Sequence, residues 1–326
     1  MMTIVITMCK LLAALALGYG LNKADIFDSA TSKKISSLIL DVTSPALIVA
    51  AVANVQGVKD SKSVLMLLLF GFAFYAVLPV LAYIIVRLLG VEKDLRGTYM
   101  CMVIFANTAF MAYPVVEAVF GMSAIFYTSI FHMPFNLLFY SFGLYLFGKD
   151  AALTKRNEET LHGGKEELQS KQKSKFSIRK ILNNGVVSAI LALVIYFANI
   201  SLPDLVVEPL QFIGGLTSPL SMMVIGSSIA GYSFKEIWGQ KKIYLFMIIR
   251  LLILPTATWF LMGALTHDTM ITGIATVTVG MPIASLVAMG SAQYDKQGKI
   301  GAIGVVCSTI CSLISIPIMC ALIGVG

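Results

Sequence analysis

The chain has 326 residues, of which 58% are hydrophobic and only 13% are charged, and its mean hydropathy is +0.86. Soluble domains carry about 25% charged residues, so this composition excludes an ordinary soluble protein and indicates an integral membrane protein. The formal net charge of +7 does not predict nucleic-acid binding, because the basic residues are spread over the loops between apolar blocks.

Ten apolar blocks follow one another along the chain, each close to the roughly 20 residues that span a bilayer as a helix. We place them at residues 3–21, 34–55, 63–89, 98–119, 123–147, 183–200, 207–232, 242–265, 269–290 and 300–325. The first block lacks a basic n-region and a small-x-small cleavage site, so we expect a transmembrane helix and not a signal peptide. All five cysteines lie in these blocks, and we interpret them as packing residues.

The basic residues between the blocks predict the orientation in the membrane. If the N-terminus lies outside, the inward-facing loops hold 20 of the 24 Lys and Arg residues, and the outward-facing loops hold only Lys59 and Lys62. The positive-inside rule then puts both termini outside. The bias remains when the longest loop is left out of the count, and it supports an even number of spans.

The longest hydrophilic segment is rich in Lys, Glu, Gln and Ser, and it divides the ten blocks into five and five. We assign residues 149–182 to a charged cytosolic linker, between a first repeat at 1–148 and a second at 183–326. The halves share three collinear matches at offsets of 174, 176 and 168: Thr43-Ser44-Pro45 with Thr217-Ser218-Pro219, Pro79 with Pro255, and Pro114 with Pro282. An odd number of spans in each half makes the second copy enter from the opposite side, which is an inverted repeat.

Blocks four and nine are interrupted at about the same relative place. In block four, Asn107 and Thr108 precede Pro114, and in block nine Met281 precedes Pro282. Paired interruptions of this kind point to a transporter's binding site, because unwound backbone in hydrocarbon is tolerated only inside protein or beside a watery cavity. We expect each block to break into two half-helices, the second beginning near the proline, so that two helix N-termini attract an anion.

Asn107 is a candidate substrate ligand, because its side chain offers both a donor and an acceptor near the middle of block four. A hydrogen bond between neighbouring helices is the alternative role for a single Asn in a span. Ionisable groups inside a membrane are costly and mark functional hypotheses. This chain has five of them: Lys10, Asp41, Glu117, His132 and Arg250.

These five groups suggest different roles. Arg250 would neutralise a substrate carboxylate or pair with an acid. Asp41, together with Thr43 and Ser44, would hold Na⁺ or a proton with unwound carbonyls. Glu117 would act in coupling or stabilise the N-terminus of the second half-helix, and His132 would relay a proton or be a buried structural residue. Lys10 would extend its ammonium group to the interface.

The sequence contains no G-x-S-x-G, P-loop or H-E-x-x-H motif, and its three histidines are scattered over a span, the linker and an outer loop. We therefore expect no enzyme activity, no catalytic residue and no metal site. The expected cofactor list is empty except for a coupling ion, Na⁺ or H⁺.

Several motifs taken together resemble the auxin efflux carrier family, which includes plant PIN-formed carriers and bacterial malate or malonate permeases. The motifs cover nearly the whole chain: Gly18-Tyr19-Gly20, Ile26-Phe27, Ile35-Ser36-Ser37-Leu38, Pro45-Ala46-Leu47, Asn107-Thr108-x-Phe110-x-x-x-Pro114, Asn136 with Gly143, Pro219-Leu220 with Gly226, Met281-Pro282-x-Ala284, Ala292-x-Tyr294, Ser308-Thr309 and Pro317. The chain departs from the family pattern at Ala109 and Ala112, where glycine is usual, and Tyr113 narrows the expected pocket.

The resemblance implies an all-α membrane fold of ten transmembrane helices in two inverted five-helix repeats, with broken helices four and nine crossing at the midplane. Helices 1, 2, 6 and 7 would form a scaffold, through which a homodimer is possible, and helices 3–5 and 8–10 a transport domain that moves as an elevator. We expect the substrate-binding residues to be Asn107, Thr108, Tyr113, Pro114, Asn136, Met281, Pro282, Ser285 and Arg250.

We therefore predict a secondary active transporter in a bacterial inner membrane that moves a small organic anion, such as a mono- or dicarboxylate or an auxin-like acid. The first alternative is a Na⁺ symporter that resembles bile-acid transporters and carries a larger amphipathic anion. A non-transporting receptor is the second alternative, and a channel is the third. Membrane lipid is the other expected partner.

Overall fold

The computed structural model describes residues 2–53, 61–162, 184–231, 241–266, 268–291 and 294–323. Within these ranges the chain is helical apart from turns and a single isolated β-bridge pair. The sixteen helices are α1 (Met2–Lys23), α2 (Ser29–Leu38), α3 (Ser44–Ala53), α4 (Ser61–Leu88), α5 (Arg96–Ile104), α6 (Tyr113–Phe120), α7 (Ser123–Leu138), α8 (Leu144–His162), α9 (Asn184–Phe197), α10 (Asp204–Gly214), α11 (Thr217–Ala230), α12 (Lys241–Ile248), α13 (Leu254–Thr266), α14 (Thr269–Val279), α15 (Ser285–Ser291) and α16 (Asp295–Leu322).

The helices occupy the apolar blocks predicted from the sequence. Six helical stretches of the described chain are long and apolar enough to cross a membrane: Ser29–Ala53, Val64–Leu88, Ser123–Asn157, Asp204–Ala230, Ile243–Thr266 and Lys296–Ala321. Three further apolar helices are shorter: Thr108–Phe120, Asn184–Phe197 and Thr269–Val279. Two of these three short helices adjoin the interruptions that were predicted in blocks four and nine.

Four π-helical turns widen the helices at Ile39–Thr43, Thr108–Ala112, Phe139–Gly143 and Ile249–Ile253. Three of them end two residues before a proline, namely Pro45, Pro114 and Pro255. A proline in a helix has no N–H, and its ring clashes with the carbonyl four residues earlier. In each case that carbonyl belongs to the middle residue of the π turn, so the wider turn lets the helix continue past the proline.

Two groups of helices are packed side by side. In the first group, α1 lies along α11, α2 also contacts α11, and α3 packs against α9 and α10. Glycines allow the close approach of α1 and α11, since a Cβ atom on Gly226 would lie 1.9 Å from the carbonyl oxygen of Leu15. In the second group, α4 packs against α5 and α7, α13 against α14, and α15 against α16. The groups meet where α7 contacts α3 and α9.

Part of the range assigned to the linker is helical, because α8 continues to His162. Asp150, near the start of that range, is buried and accepts hydrogen bonds from the backbone N–H groups of Gly97 (3.0 Å) and Thr98 (2.7 Å) and from the Thr98 hydroxyl (2.9 Å). This carboxylate caps the N-terminus of α5 from another helix. Residues 163–182 of the assigned linker lie outside the described residues.

Candidate functional site

The two interruptions lie against each other and form the single β-bridge pair of the described chain, Ala106 with Ile283. The N–H of Asn107 donates to the carbonyl of Pro282 (2.8 Å), and the N–H of Ala284 donates to the carbonyl of Phe105 (2.9 Å). Each non-helical segment therefore satisfies backbone groups of the other. Unwound backbone in an apolar region needs hydrogen-bond partners inside the protein, and this pairing provides them.

The bridge has two-fold symmetry. A rotation that exchanges Ala106 with Ile283 converts the hydrogen bond donated by Asn107 into the one donated by Ala284. The two prolines that the sequence paired lie at different places relative to this bridge. Pro282 lies inside its interruption, whereas Pro114 is the second residue of α6, beyond the π turn that resumes the helix at Thr108.

Side chains around the bridge are buried, and some of their polar atoms have no partner. The N–H of Ile283 donates to the Ser308 hydroxyl of α16 (3.0 Å), so a third helix supports the crossing. The Nδ2 atom of Asn107 and the hydroxyl of Thr108 are buried without a hydrogen bond. These two groups are the ones that the sequence singled out at the interruption of block four.

A cavity of about 160 Å³ lies beside the bridge, between the two groups of helices. Its wall contains Ala109, in the first turn after one interruption, and Leu286, in the first turn after the other. First-turn N–H groups have no partner within their helix. The rest of the wall is formed by Ser37, Leu40, Asp41, Ser44, Ile48, Tyr113, Ser129, His132, Met133, Asn136, Tyr140, Gly185, Val186 and Ala189.

Five of the predicted site residues line this cavity: Asp41, Ser44, Tyr113, His132 and Asn136. The cavity also contains Ser37, Ser129 and Tyr140, which sequence reasoning missed. Ser129 and Tyr140 share one face of the helical segment with His132 and Asn136, because their spacing of three or four residues places them together. That spacing was the signal that could have found them.

The polar groups of the cavity are mostly neutral. The Nδ1 atom of His132 is buried and has no hydrogen-bond partner. The carboxylate of Asp41 accepts a hydrogen bond from the side-chain amide of Asn184 (3.3 Å), and no Lys or Arg belongs to the described lining. The sequence predicts unwound backbone at Asp41, and this prediction is wrong. The π turn Ile39–Thr43 leads directly into α3, so the segment stays helical.

Arg250 lies outside this cavity. It is 2% exposed, its Nη1 donates to the carbonyl of Val279 at the C-terminus of α14, and its Nε has no partner. A guanidinium at this position interacts favourably with the negative end of the helix. The structure therefore places Arg250 in the second helix group, beside Tyr75 and Phe131.

The remaining predicted residues are also separate from the lining. Glu117 accepts a hydrogen bond from the Ser218 hydroxyl (3.4 Å), and the Thr43 hydroxyl accepts one from the Thr217 hydroxyl (2.9 Å). Others lie at the bridge or just beyond it: Asn107, Thr108, Pro114, Met281, Pro282 and Ser285. The structure therefore places most of the predicted residues at the bridge or in the adjacent cavity, and leaves Thr43, Glu117 and Arg250 outside both.

A family model described as "Membrane transport protein" matches residues 3–320. This match covers nearly the whole chain and confirms the resemblance to the auxin efflux carrier family that the motifs indicated. Comparison with curated proteins gave no match.

Proposed function

Because the chain belongs to the family of membrane transport proteins, we propose that it is a secondary active transporter for a small organic anion. The observation that carries this proposal is the bridge between the two interruptions, with the first turns of both following helices in the wall of one cavity. Helix N-termini carry free N–H groups and a partial positive charge, which favour a carboxylate. No lysine or arginine side chain is needed in such a site.

The proposed architecture has ten transmembrane helices in two inverted repeats. Thr43 and Thr217, which the sequence paired at an offset of 174 residues, donate and accept one hydrogen bond between their hydroxyls. Equivalent residues meet in this way only near an axis that relates the repeats. The antiparallel pairing of segments from the two halves at the bridge is compatible with such an axis. With the basic loops inward, both termini lie outside the plasma membrane.

We further propose that the protein moves substrate by an elevator motion. One side of the cavity is formed by α2, α3, α9 and the π turn Ile39–Thr43, which belong to the proposed scaffold. The other side is formed by α7, α15 and the turn Thr108–Ala112, which belong to the proposed transport domain. A site at the boundary between two packed bodies is suited to alternating access, because sliding one body carries the bridge and its ligand past the other.

The Asp41 carboxylate in the cavity wall supports the proposal that anion transport is coupled to a cation. At a separation of about 5 Å and an effective dielectric constant of about 20, two unit negative charges repel each other by about 3 kcal/mol. A proton or Na⁺ bound together with the anion would remove this cost. Asp41→Asn should therefore make uptake less dependent on the imposed cation gradient, whereas the parent protein should follow it.

The volume of the cavity favours a small anion over the amphipathic anion of the alternative proposal. Pockets for drug-sized ligands measure about 300–1,000 Å³, and this cavity measures about 160 Å³. The two proposals predict different transported molecules, so a panel that includes a bile acid distinguishes them.

The test is uptake into proteoliposomes that contain the full chain. Labelled malate, malonate, indole acetate and a bile acid are offered separately, with Na⁺ and pH gradients imposed one at a time. We expect uptake of at least one small carboxylate above its equilibrium level, and counterflow that saturates. If the whole panel stays outside under both gradients, the anion proposal is wrong; counterflow that never saturates would indicate a channel.

Asn136→Ala tests the site. An amide that donates to a carboxylate contributes about 1.5–3 kcal/mol, so the substrate KM should rise roughly 10- to 150-fold. Asn157→Ala is the matched control, because Asn157 is an exposed residue of α8 that does not belong to the lining. Equal KM values in the two variants would reject this cavity as the binding site.

A further inference from the structure

A second, larger cleft of about 400 Å³ lies away from the bridge, where α4 ends, α5 begins and α8 passes. Three basic residues contribute to its wall, Lys93, Arg96 and Lys149. The other wall residues are mainly aromatic or apolar: Tyr83, Gly97, Met100, Phe142, Tyr145, Leu146, Asp150 and Leu153. The cleft is therefore a positively charged recess with an aromatic wall.

The acidic groups near this cleft already have partners. Asp150 accepts the three hydrogen bonds from the start of α5, and Lys296 binds both Glu92 (2.9 Å) and Asp94 (2.8 Å). In the described part of the chain, none of the three basic wall residues forms an ion pair with a carboxylate. With three basic residues and one carboxylate in its wall, the described cleft therefore has a net positive charge.

The cleft also opens onto an apolar surface. Tyr83 is 48% exposed and Tyr145 60% exposed, and Leu88, in the last turn of α4, is 82% exposed. The guanidinium of Arg87 lies 5.5 Å from the centre of the Tyr83 ring. Exposed apolar residues on a membrane protein face lipid, and tyrosines gather at the level of the head groups. Lys93 lies in a loop, Arg96 begins α5 and Lys149 lies in α8, all at the end of the spans that the charge distribution puts on the inner side.

From this combination we infer that the cleft binds the phosphate head group of an anionic phospholipid of the inner leaflet. Lys93 and Lys149 contact the phosphate as point charges, and Arg96 supplies guanidinium donors. The acyl chains lie along Tyr83 and Tyr145. Basic pockets between spans on the cytoplasmic side bind anionic head groups in this way. The inference depends on membrane insertion and orientation, and not on which substrate the protein carries.

The test uses the purified full chain in neutral detergent. Phosphatidylglycerol or phosphatidylcholine is added in mixed micelles, and native mass spectrometry counts the bound lipids. We expect one phosphatidylglycerol molecule to bind in preference to phosphatidylcholine, with an affinity that falls as salt is raised. Inorganic phosphate and glycerol phosphate are separate arms, and we expect them to bind much more weakly because they cannot contact the aromatic wall.

The variant Lys93→Gln with Lys149→Gln removes two charges from the cleft. At about 1 kcal/mol for each basic residue near the surface, we expect a loss of roughly 30-fold in affinity for phosphatidylglycerol. Lys33→Gln with Lys34→Gln is the matched control, because these exposed lysines of α2 lie on the same predicted side but outside the cleft. An unchanged thermal unfolding temperature verifies that both variants fold.

Three results would overturn the inference. The first is a parent protein that does not prefer phosphatidylglycerol, and the second is an equal loss in both double variants, which would indicate a general surface-charge effect. The third is inorganic phosphate that binds as tightly as the lipid, which would assign the cleft to a soluble anion.

Discussion

The Ser308 hydroxyl is hydrogen-bonded to the bridge, and it can be removed by a substitution that changes a single atom of the side chain. It is fully buried, accepts a hydrogen bond from the N–H of Ile283 (3.0 Å) and donates to the carbonyl of Val305 (3.0 Å). In Ser308→Ala the N–H of Ile283 has no partner, since its segment is not helical. A buried donor without an acceptor costs about 1–3 kcal/mol.

This cost should be local. The bridge opens into a state in which the segment 280–284 is solvated, and the variant makes that opening more favourable by the same amount. We therefore expect amide hydrogen exchange in peptides that cover residues 280–284 to accelerate roughly 5- to 150-fold. The measurement is hydrogen–deuterium exchange with mass spectrometry on the full chain in detergent, together with KM for the small carboxylate proposed as substrate.

Ser315→Ala is the control on the same helix. Ser315 is also buried, but its hydroxyl has no hydrogen-bond partner, so its removal leaves no group unsatisfied and should change exchange in 280–284 by less than about threefold. If Ser308→Ala and Ser315→Ala exchange at the same rate in this segment, the bridge does not depend on the third helix and the reasoning is refuted.

Two other predictions concern stability. Gly226→Ala should destabilise the chain by several kcal/mol, because its Cβ would lie 1.9 Å from the carbonyl oxygen of Leu15 and overpacking costs about 1–3 kcal/mol or more. Gly20→Ala is the control: a Cβ at Gly20 would meet no neighbouring atom within 4 Å, so this variant should unfold at nearly the parent temperature. Equal losses of stability in both variants would contradict the packing of α1 on α11. Burial raises the pKa of Asp94, but the hydrogen bond from Lys296 and further hydrogen bonds outweigh burial and hold the pKa below its ordinary value of 3.8. Asp94 therefore stabilises the fold above pH 3.8, and this contribution is lost as the pH falls through the lowered pKa. Thermal unfolding is measured between pH 3 and 6 for the parent and for Lys296→Gln. The variant should unfold at a lower temperature than the parent at pH 6, and this difference should disappear towards pH 3. A difference in unfolding temperature that is constant with pH would assign the effect to packing alone.

The sequence predicted the positions of most helices and of both interruptions, but not that α8 continues to His162, well past the end of the predicted block at residue 147. Apolar blocks, prolines and runs of small polar residues act on the backbone around them, so their effects can be recognised locally. The sequence did not show that Pro114 and Pro282 lie at different places relative to the bridge, because a proline inside an interruption and a proline that follows a π turn look alike in sequence. Only the turn Thr108–Ala112 distinguishes them.

The sequence could not show which of the candidate site residues lie close together in space. Arg250 and His132 are both single ionisable residues within apolar blocks, yet His132 lines the cavity and Arg250 caps the end of α14. Their different positions depend on how whole helices are rotated and paired. That information is distributed over many apolar contacts, none of which is specific when it is considered alone.

The sequence by itself determined that this chain is a helical membrane protein, where its helices are interrupted, and which family it resembles. The tertiary structure decided that the interruptions at Asn107 and Pro282 are hydrogen-bonded to each other, that Ser308 supports them, and that the neighbouring cavity contains one carboxylate and no lysine or arginine among its described residues. The physical reason is the range of the interactions. A helix break depends on a few adjacent residues, whereas the hydrogen bonds that satisfy the broken backbone join residues from opposite halves of the chain.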